Sequence, residues 1–128
     1  VTETRITNAT TGGQKGSKPQ QLHHLPPKTL LGVGAVFAFG AAKYADYNYT
    51  KGIQWSLFFD AAQRHLWASW GGEWLDPESG LPHIHHAIAD LMMLDANYRL
   101  SIYRPDLELD DRPQPEAILD GKWREGVA

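Results

Sequence analysis

Cysteine is missing from all 128 residues. Disulfides, iron–sulfur clusters and thiolate zinc sites are therefore excluded, and the absence fits a reducing cytoplasm. A basic surplus is missing too. Twelve Lys and Arg stand against fifteen Asp and Glu, for a net charge of −3 and a pI near 6.0. Polymeric nucleic acid is not the expected partner of such a surface. Long hydrophobic runs are lacking as well. The most apolar stretch, residues 29–42, is too short to cross a bilayer and is interrupted by Gly32, Gly34 and Gly40. The first eighteen residues hold no apolar signal core. A single soluble cytoplasmic domain with no membrane segment is the expectation, long enough for one real core.

What the chain does have is a concentration of ionisable groups. Four of its six histidines lie between His65 and Asp90, with Glu73 and Asp76 between them. Imidazoles and carboxylates gathered between two helix-like segments are the material of a metal or phosphate-handling site.

Before that stretch, residues 1–27 read as an irregular arm. Thr10, Thr11, Gly12, Gly13, Gly16, Ser17 and Pro19 are loop formers, and Lys15 and Lys18 stand among the glycines. Open backbone amides beside an ammonium group suit a phosphate. No Walker A spacing is present, and a solvated terminus accounts for these residues equally well.

Residues 28–103 form the predicted helical core domain. Pro26-Pro27 opens a first helix over 28–46, with Leu30, Val33, Phe37, Ala41 and Tyr44 on its apolar face. Lys43, Tyr44, Asp46, Tyr47, Asn48 and Tyr49 crowd its end, where they either hold a base or ribose or simply half-bury their rings. Ser56 is the predicted N-cap of a second helix over 57–70, whose stripe Phe58, Ala62, His65 and Ser69 brings a histidine to the buried side. Pro82 suits the first turn of a third helix that runs to about residue 102. Ile84, Ile88, Leu91, Leu94 and Tyr98 are its predicted core face, and His83, His86, Asp90 and Asn97 form a second, polar ridge. Polar groups on a largely apolar helix need partners, and His65 or Glu73 would supply them.

The tail, residues 104–128, is proline-rich and acidic. It is expected to be extended, with a short helical turn near 115–121 and with Leu107, Leu109, Ile118 and Trp123 packing inward. The fold class expected is all-α, a small helical bundle with an irregular N-terminal arm and an extended C-terminal tail. Five tryptophans, three of them at Trp67, Trp70 and Trp74, are many for so small a domain to hide, so a homo-oligomer is expected.

His86 and Asp90, four apart on one helix, are able to share a cation, with His65 facing them. Carboxylates favour magnesium, whereas several imidazoles favour manganese, zinc or another transition ion. A hydrogen-bonded His/Asp network that fixes helix packing without metal is the bland alternative.

The blocks GGQKGSKPQ, LPP, AAKYADYNYTKGIQWS and RHLWASWGGEWLDPESGLPHIHHA occur in that order. Over residues 12–100 the chain resembles a phage-encoded family, the N-terminal domain of dATP/dGTP diphosphohydrolase. The resemblance implies an all-α, MazG-like nucleotide pyrophosphohydrolase. Its substrate would be a purine deoxynucleotide, dGTP or dATP, cleaved to the monophosphate and pyrophosphate. The Glu73-x-x-Asp76 pair resembles the acidic pairs with which such enzymes hold magnesium. Carried over position by position, Lys15 and Lys18 would contact phosphates, and Lys43, Tyr44 and Asn48 would lie near the nucleotide. Arg64, His65, Glu73, Asp76, His83 and His86 would line the active site. A divalent ion, Mg2+ or Mn2+, would be held by Glu73, Asp76 and Asp90 with His86. His65 or His83 would act as general base, and Lys15 and Arg64 would neutralise the leaving pyrophosphate. The second acidic pair usual in such enzymes is missing. A non-catalytic protein that sequesters nucleotides is therefore the rival expectation, and a purely structural protein is a third.

Overall fold

In the computed structural model, residues 2–113 are described, and they divide into two compact units, residues 1–30 and 31–128. The predicted turn at 115–121, Ile118 and Trp123 lie outside the described residues.

The first unit corrects the expectation of an irregular arm and of a purely all-α chain. Strands β1 (Thr4–Thr7) and β2 (Gln14–Ser17) pair antiparallel, Thr4 opposite Ser17 and Thr7 opposite Gln14. β-Branched Thr4, Ile6 and Thr7 suit an extended backbone. The turn between the strands is built on Asn8, whose Oδ1 accepts hydrogen bonds from the amides of Thr10 (2.9 Å) and Thr11 (3.0 Å). Gly12 takes the positive φ of +76° that the turn requires. A short 3-10 turn at Leu22–His24 follows.

Three helices carry the rest: α1 (Pro27–Lys43), α2 (Trp55–Trp70) and α3 (His83–Tyr103). Pro27 occupies the first position of α1, where its missing amide proton costs nothing. The helix stops three residues earlier than expected. Tyr47 then turns the chain in the left-handed region (φ 57°) ahead of a 3-10 turn at Asn48–Lys51. Val33 and Val36 of α1 pack with Ala89 of α3, and Phe37, Leu81, Ile88 and Met93 close round them. Gly32 lets α1 approach α3 closely, because a Cβ there would fall on the imidazole of His85. Trp67, Trp70 and Trp74, on which the expected self-association rests, are exposed on the chain.

Helix α3 corrects the predicted core face at two of its five positions, whereas Ile84, Ile88 and Leu94 are partly buried. Leu91 and Tyr98 are half exposed, whereas His83, His86 and Asn97 are buried together with Ala87 and Ala89. The small alanines bring α3 close to its neighbours, and the polar ridge between them finds partners there. Asn97 is almost fully buried, and its Oδ1 accepts from the amide of Ile53 (3.0 Å). Its Nδ2 donates to the carbonyls of Tyr49 (2.8 Å) and Met93 (3.0 Å). One side chain thus ties residues 49–53 to α3.

Ser56 is not the N-cap of α2, which starts two residues earlier than expected, at Trp55, and gets no cap bond from Gln54. Asp111 serves the helix from 55 residues away. Its Oδ1 accepts from the Ser56 amide at 3.0 Å, and its Oδ2 accepts from the Ser56 hydroxyl. Leu109 is buried beside it and accepts from the Trp55 amide (3.0 Å), while the Arg112 guanidinium lies 4.8 Å from the Trp55 ring. The tail therefore packs inward, as expected for Leu109, and it also caps a helix. Asp111→Ala should cost about 1 kcal/mol at pH 7, a drop in Tm of roughly 4 °C. Hydrogen bonds from the Ser56 side chain and backbone hold the Asp111 carboxyl below the usual carboxylate range. Its contribution is therefore present above about pH 4 and lost as the pH falls through the folded-state value. Thermal melts at pH 7 and pH 3 should show the gap between variant and parent closing, and a gap of equal size at both would refute the cap.

Among the described residues, no helix is long and apolar enough to cross a membrane.

Candidate functional site: a histidine cluster in a cleft

Phe58 and Ala62 of α2 are buried, so His65, three residues on, also points inward. Gly72, at φ +108°, then turns the chain out of α2. The loop before α3 is held by an isolated bridge between Leu75 and Pro82 and by the His83 amide donating to the Trp74 carbonyl (2.9 Å).

Asp76 organises that loop. Its Oδ1 accepts from the amides of Glu78 (2.7 Å) and Ser79 (3.0 Å), an arrangement that the sequence Asp76-Pro77-Glu78-Ser79-Gly80 favours. Its Oδ2 is left facing two imidazoles, 3.8 Å from His65 Nδ1 and 3.9 Å from His83 Nδ1. Those two nitrogens are 2.8 Å apart. On the far side of His83, Nε2 donates to Glu73 Oε1 at 2.7 Å, which leaves Nδ1 as the lone-pair atom of that ring in its neutral form. His86 stacks on His65, with ring centroids 4.5 Å apart and an interplanar angle of 12°, and its Nε2 is 2.6 Å from Ser79 Oγ. Asp90 lies one turn further along α3, with its Oδ2 4.0 Å from His65 Nε2.

The electrostatics follow from this packing. Burial lowers the pKa of His65, and the neighbouring His86 and His83 push it the same way against the pull of Asp76. Burial also lowers His86. Both rings are thus favoured in the neutral form that binds metals. For Asp76, burial acts upward but is outweighed by the two backbone amides and the imidazoles, so the carboxyl stays below its ordinary value. Burial pushes Asp90 up to about 6, with Arg64 opposing.

The cluster opens into a cleft of about 890 Å³ within the helical unit. His65, Asp76, His86 and Asp90 line it, and so do Lys43, Tyr44, Asn48 and Arg64. Phe37, Tyr47 and Tyr49 add aromatic surface, Phe37 and Tyr49 meeting edge to face at 5.4 Å. The Lys43 ammonium is 2.7 Å from the carboxylate of Glu78.

The structure thus brings together eight of the residues singled out in the sequence, with Glu73 and His83 directly beside them. Glu73 does not join Asp76 as a paired carboxylate but braces His83. Lys15 lies on β2 and Lys18 just after it, both exposed on the first unit, with Lys18 4.0 Å from the Glu3 carboxylate. Ser79 and Glu78, the partners of His86 and Lys43, escaped the sequence reading. Neither stands at a spacing that marks it, since both owe their place to the Asp76 turn. As metal donors, His65, Asp76 and His83 offer atoms that all lie within 4.8 Å of one another.

Comparison with known proteins adds the family. Residues 9–102 match the family described as dATP/dGTP diphosphohydrolase, N-terminal, and the chain belongs to it. No curated protein and no solved structure matches.

Proposed function

We propose that this family member hydrolyses a purine deoxynucleoside triphosphate, dGTP or dATP, to the monophosphate and pyrophosphate, with a divalent metal ion at the histidine cluster. The observation that carries this reading is a single cleft, in a chain of this family, that combines two kinds of lining. Tyr44, Tyr47, Tyr49 and Asn48 offer aromatic faces and an amide to a purine nucleoside, and His65, Asp76, His86 and Asp90 stand ready for phosphates and metal. Its volume of about 890 Å³ is ample for a nucleotide.

A bound divalent ion would supply Lewis-acid polarisation of the phosphoryl oxygens and an acidified water. The chain's own groups do the rest. Asp90, with a carboxyl near 6 and its Oδ2 facing His65 Nε2, takes the proton from the attacking water. The water oxygen bonds to the α-phosphorus, the bridging bond to the β-phosphate breaks, and pyrophosphate leaves. Arg64 and Lys43 neutralise its charge, Lys43 exchanging Glu78 for phosphate.

The test is pyrophosphate release from each dNTP with magnesium, manganese or zinc. Purine triphosphates should be turned over, and His65→Ala should lower the rate by about 10²–10³-fold. If no triphosphate is cleaved with any of these ions, hydrolysis is ruled out.

One observation favours the second reading, sequestration without turnover. Because Glu73 is engaged with His83, Asp76 and Asp90 are the carboxylates left close to His65 among the described residues. Calorimetry with dGTP, dATP and cyclic dinucleotides separates the two, since tight binding without product would establish sequestration.

A further inference from the structure

The cluster carries more than a general capacity for metal. Two of its three convergent donor atoms are freed by separate features of the fold, and the third is aimed by a stacking contact. Nδ1 of His83 is available because Nε2 is engaged by Glu73 at 2.7 Å. Oδ2 of Asp76 is available because Oδ1 takes the two loop amides. The His65 ring is fixed in plane by stacking on His86, so its Nδ1 faces the other two donors. Their separations of 2.8, 3.8 and 3.9 Å bracket the roughly 3.3 Å expected between donors held about 2.05 Å from one tetrahedral ion. Shifts of about half an ångström would close them on it.

We propose that His65 Nδ1, His83 Nδ1 and Asp76 Oδ2 are the protein ligands of one transition ion of the zinc–manganese–cobalt class, with Glu73 as the outer carboxylate that orients His83. This assignment deepens the proposed hydrolysis at the same cleft, but the binding itself does not depend on it. Two imidazoles and one carboxylate suit a borderline ion. Magnesium, which demands an octahedral shell of oxygens, is poorly served by them. Three protein ligands also leave at least one position open toward water or a phosphate oxygen, as catalytic sites do and structural sites do not. Glu73 is more than half exposed, and its contact with the far nitrogen of His83 completes a carboxylate–histidine–metal relay. In this arrangement Glu73 and His86 are neighbours of the ion, not ligands.

The experiment uses the full chain, metal-free and without nucleotide. His23 and His24, whose rings lie 4.4 Å apart on the arm, are both changed to alanine so that they do not bind metal themselves. Calorimetry with zinc should give one ion per chain, and cobalt should give visible absorption bands of low-coordinate intensity. Millimolar magnesium should displace neither. Asp76→Asn and His65→Gln should each weaken zinc binding more than 100-fold. His83 is buried and its removal risks the fold, so Glu73→Gln serves as the second test. It should weaken zinc binding about 10–100-fold while circular dichroism remains helical. Absence of stoichiometric binding, displacement by magnesium, or parent-like affinity in both Glu73→Gln and Asp76→Asn would overturn the assignment. A chain that binds zinc but cleaves no triphosphate would keep this site and lose the hydrolysis, and a magnesium-dependent hydrolase would do the reverse.

Discussion

Asn97→Leu is expected to destabilise the helical unit by about 4 kcal/mol, a large share of the 5–15 kcal/mol that holds a domain of this size together. Leucine keeps the branched heavy-atom skeleton of asparagine, so beyond some overpacking by its methyl groups the cost is in hydrogen bonding. Leucine leaves the Ile53 amide and the Tyr49 carbonyl without the partners that the almost fully buried Asn97 gives them at 3.0 and 2.8 Å. Each stranded group costs about 1–3 kcal/mol. The carbonyl of Met93 loses a bond at 3.0 Å as well. The consequence reaches the cleft, since Asn48, Tyr49 and Ile53 line it and Asn97 is what ties residues 49–53 to α3. Urea unfolding should therefore show a lower midpoint with an unchanged slope, and nucleotide binding should weaken even where the chain is still folded. A loss below 1 kcal/mol would mean that residues 49–53 hold their course without Asn97.

The same residue marks what could be read from the sequence. Spacing alone placed His83, His86, Asp90 and Asn97 on one ridge of α3 and His65 on the inner stripe of α2, because helical geometry fixes which side chains share a face. It could not say which of two ridges on α3 turns inward. Size decided that: Ala87 and Ala89 allow close packing, and Gly32 of α1 admits His85, so Leu91 and Tyr98 are left half exposed. Spacing was silent on how Glu73 and Asp76 are aimed. Two acids three apart share a face only on a helix, and here they stand on a loop whose turn sends one toward His65 and the other to the back of His83. The hairpin was missed because its strands are four residues long and almost wholly exposed, so no burial pattern alternates along them. The cap on α2 comes from Asp111, and a partner 55 residues away leaves no local signature. The block DPESGLPH, one of those that carry the family resemblance, forms this turn and leads into the start of α3.

Asp90→Asn should change stability and turnover in opposite directions. The carboxylate is held half-buried on α3, with the nearest imidazole nitrogen 4.0 Å away and only the more exposed Arg64 to oppose the desolvation. The folded chain therefore binds this proton more tightly than the unfolded chain does, at about 6 against an ordinary value near 4. Stability from this group is fully present below pH 4 and is lost as the pH rises through 6. Asparagine does not titrate. In metal-free buffer the variant should match the parent near pH 4 and exceed it by about 2 kcal/mol at pH 8, measured by denaturant unfolding at each pH. Turnover of a purine triphosphate should fall about 10²-fold at the same time, because the amide takes no proton from water. Equal stability differences at both pH values would mean that burial does not strain the carboxylate. A stabilised variant with undiminished turnover would remove Asp90 from the reaction. Gain and loss together would identify a charge that the fold tolerates at a cost because the site uses it.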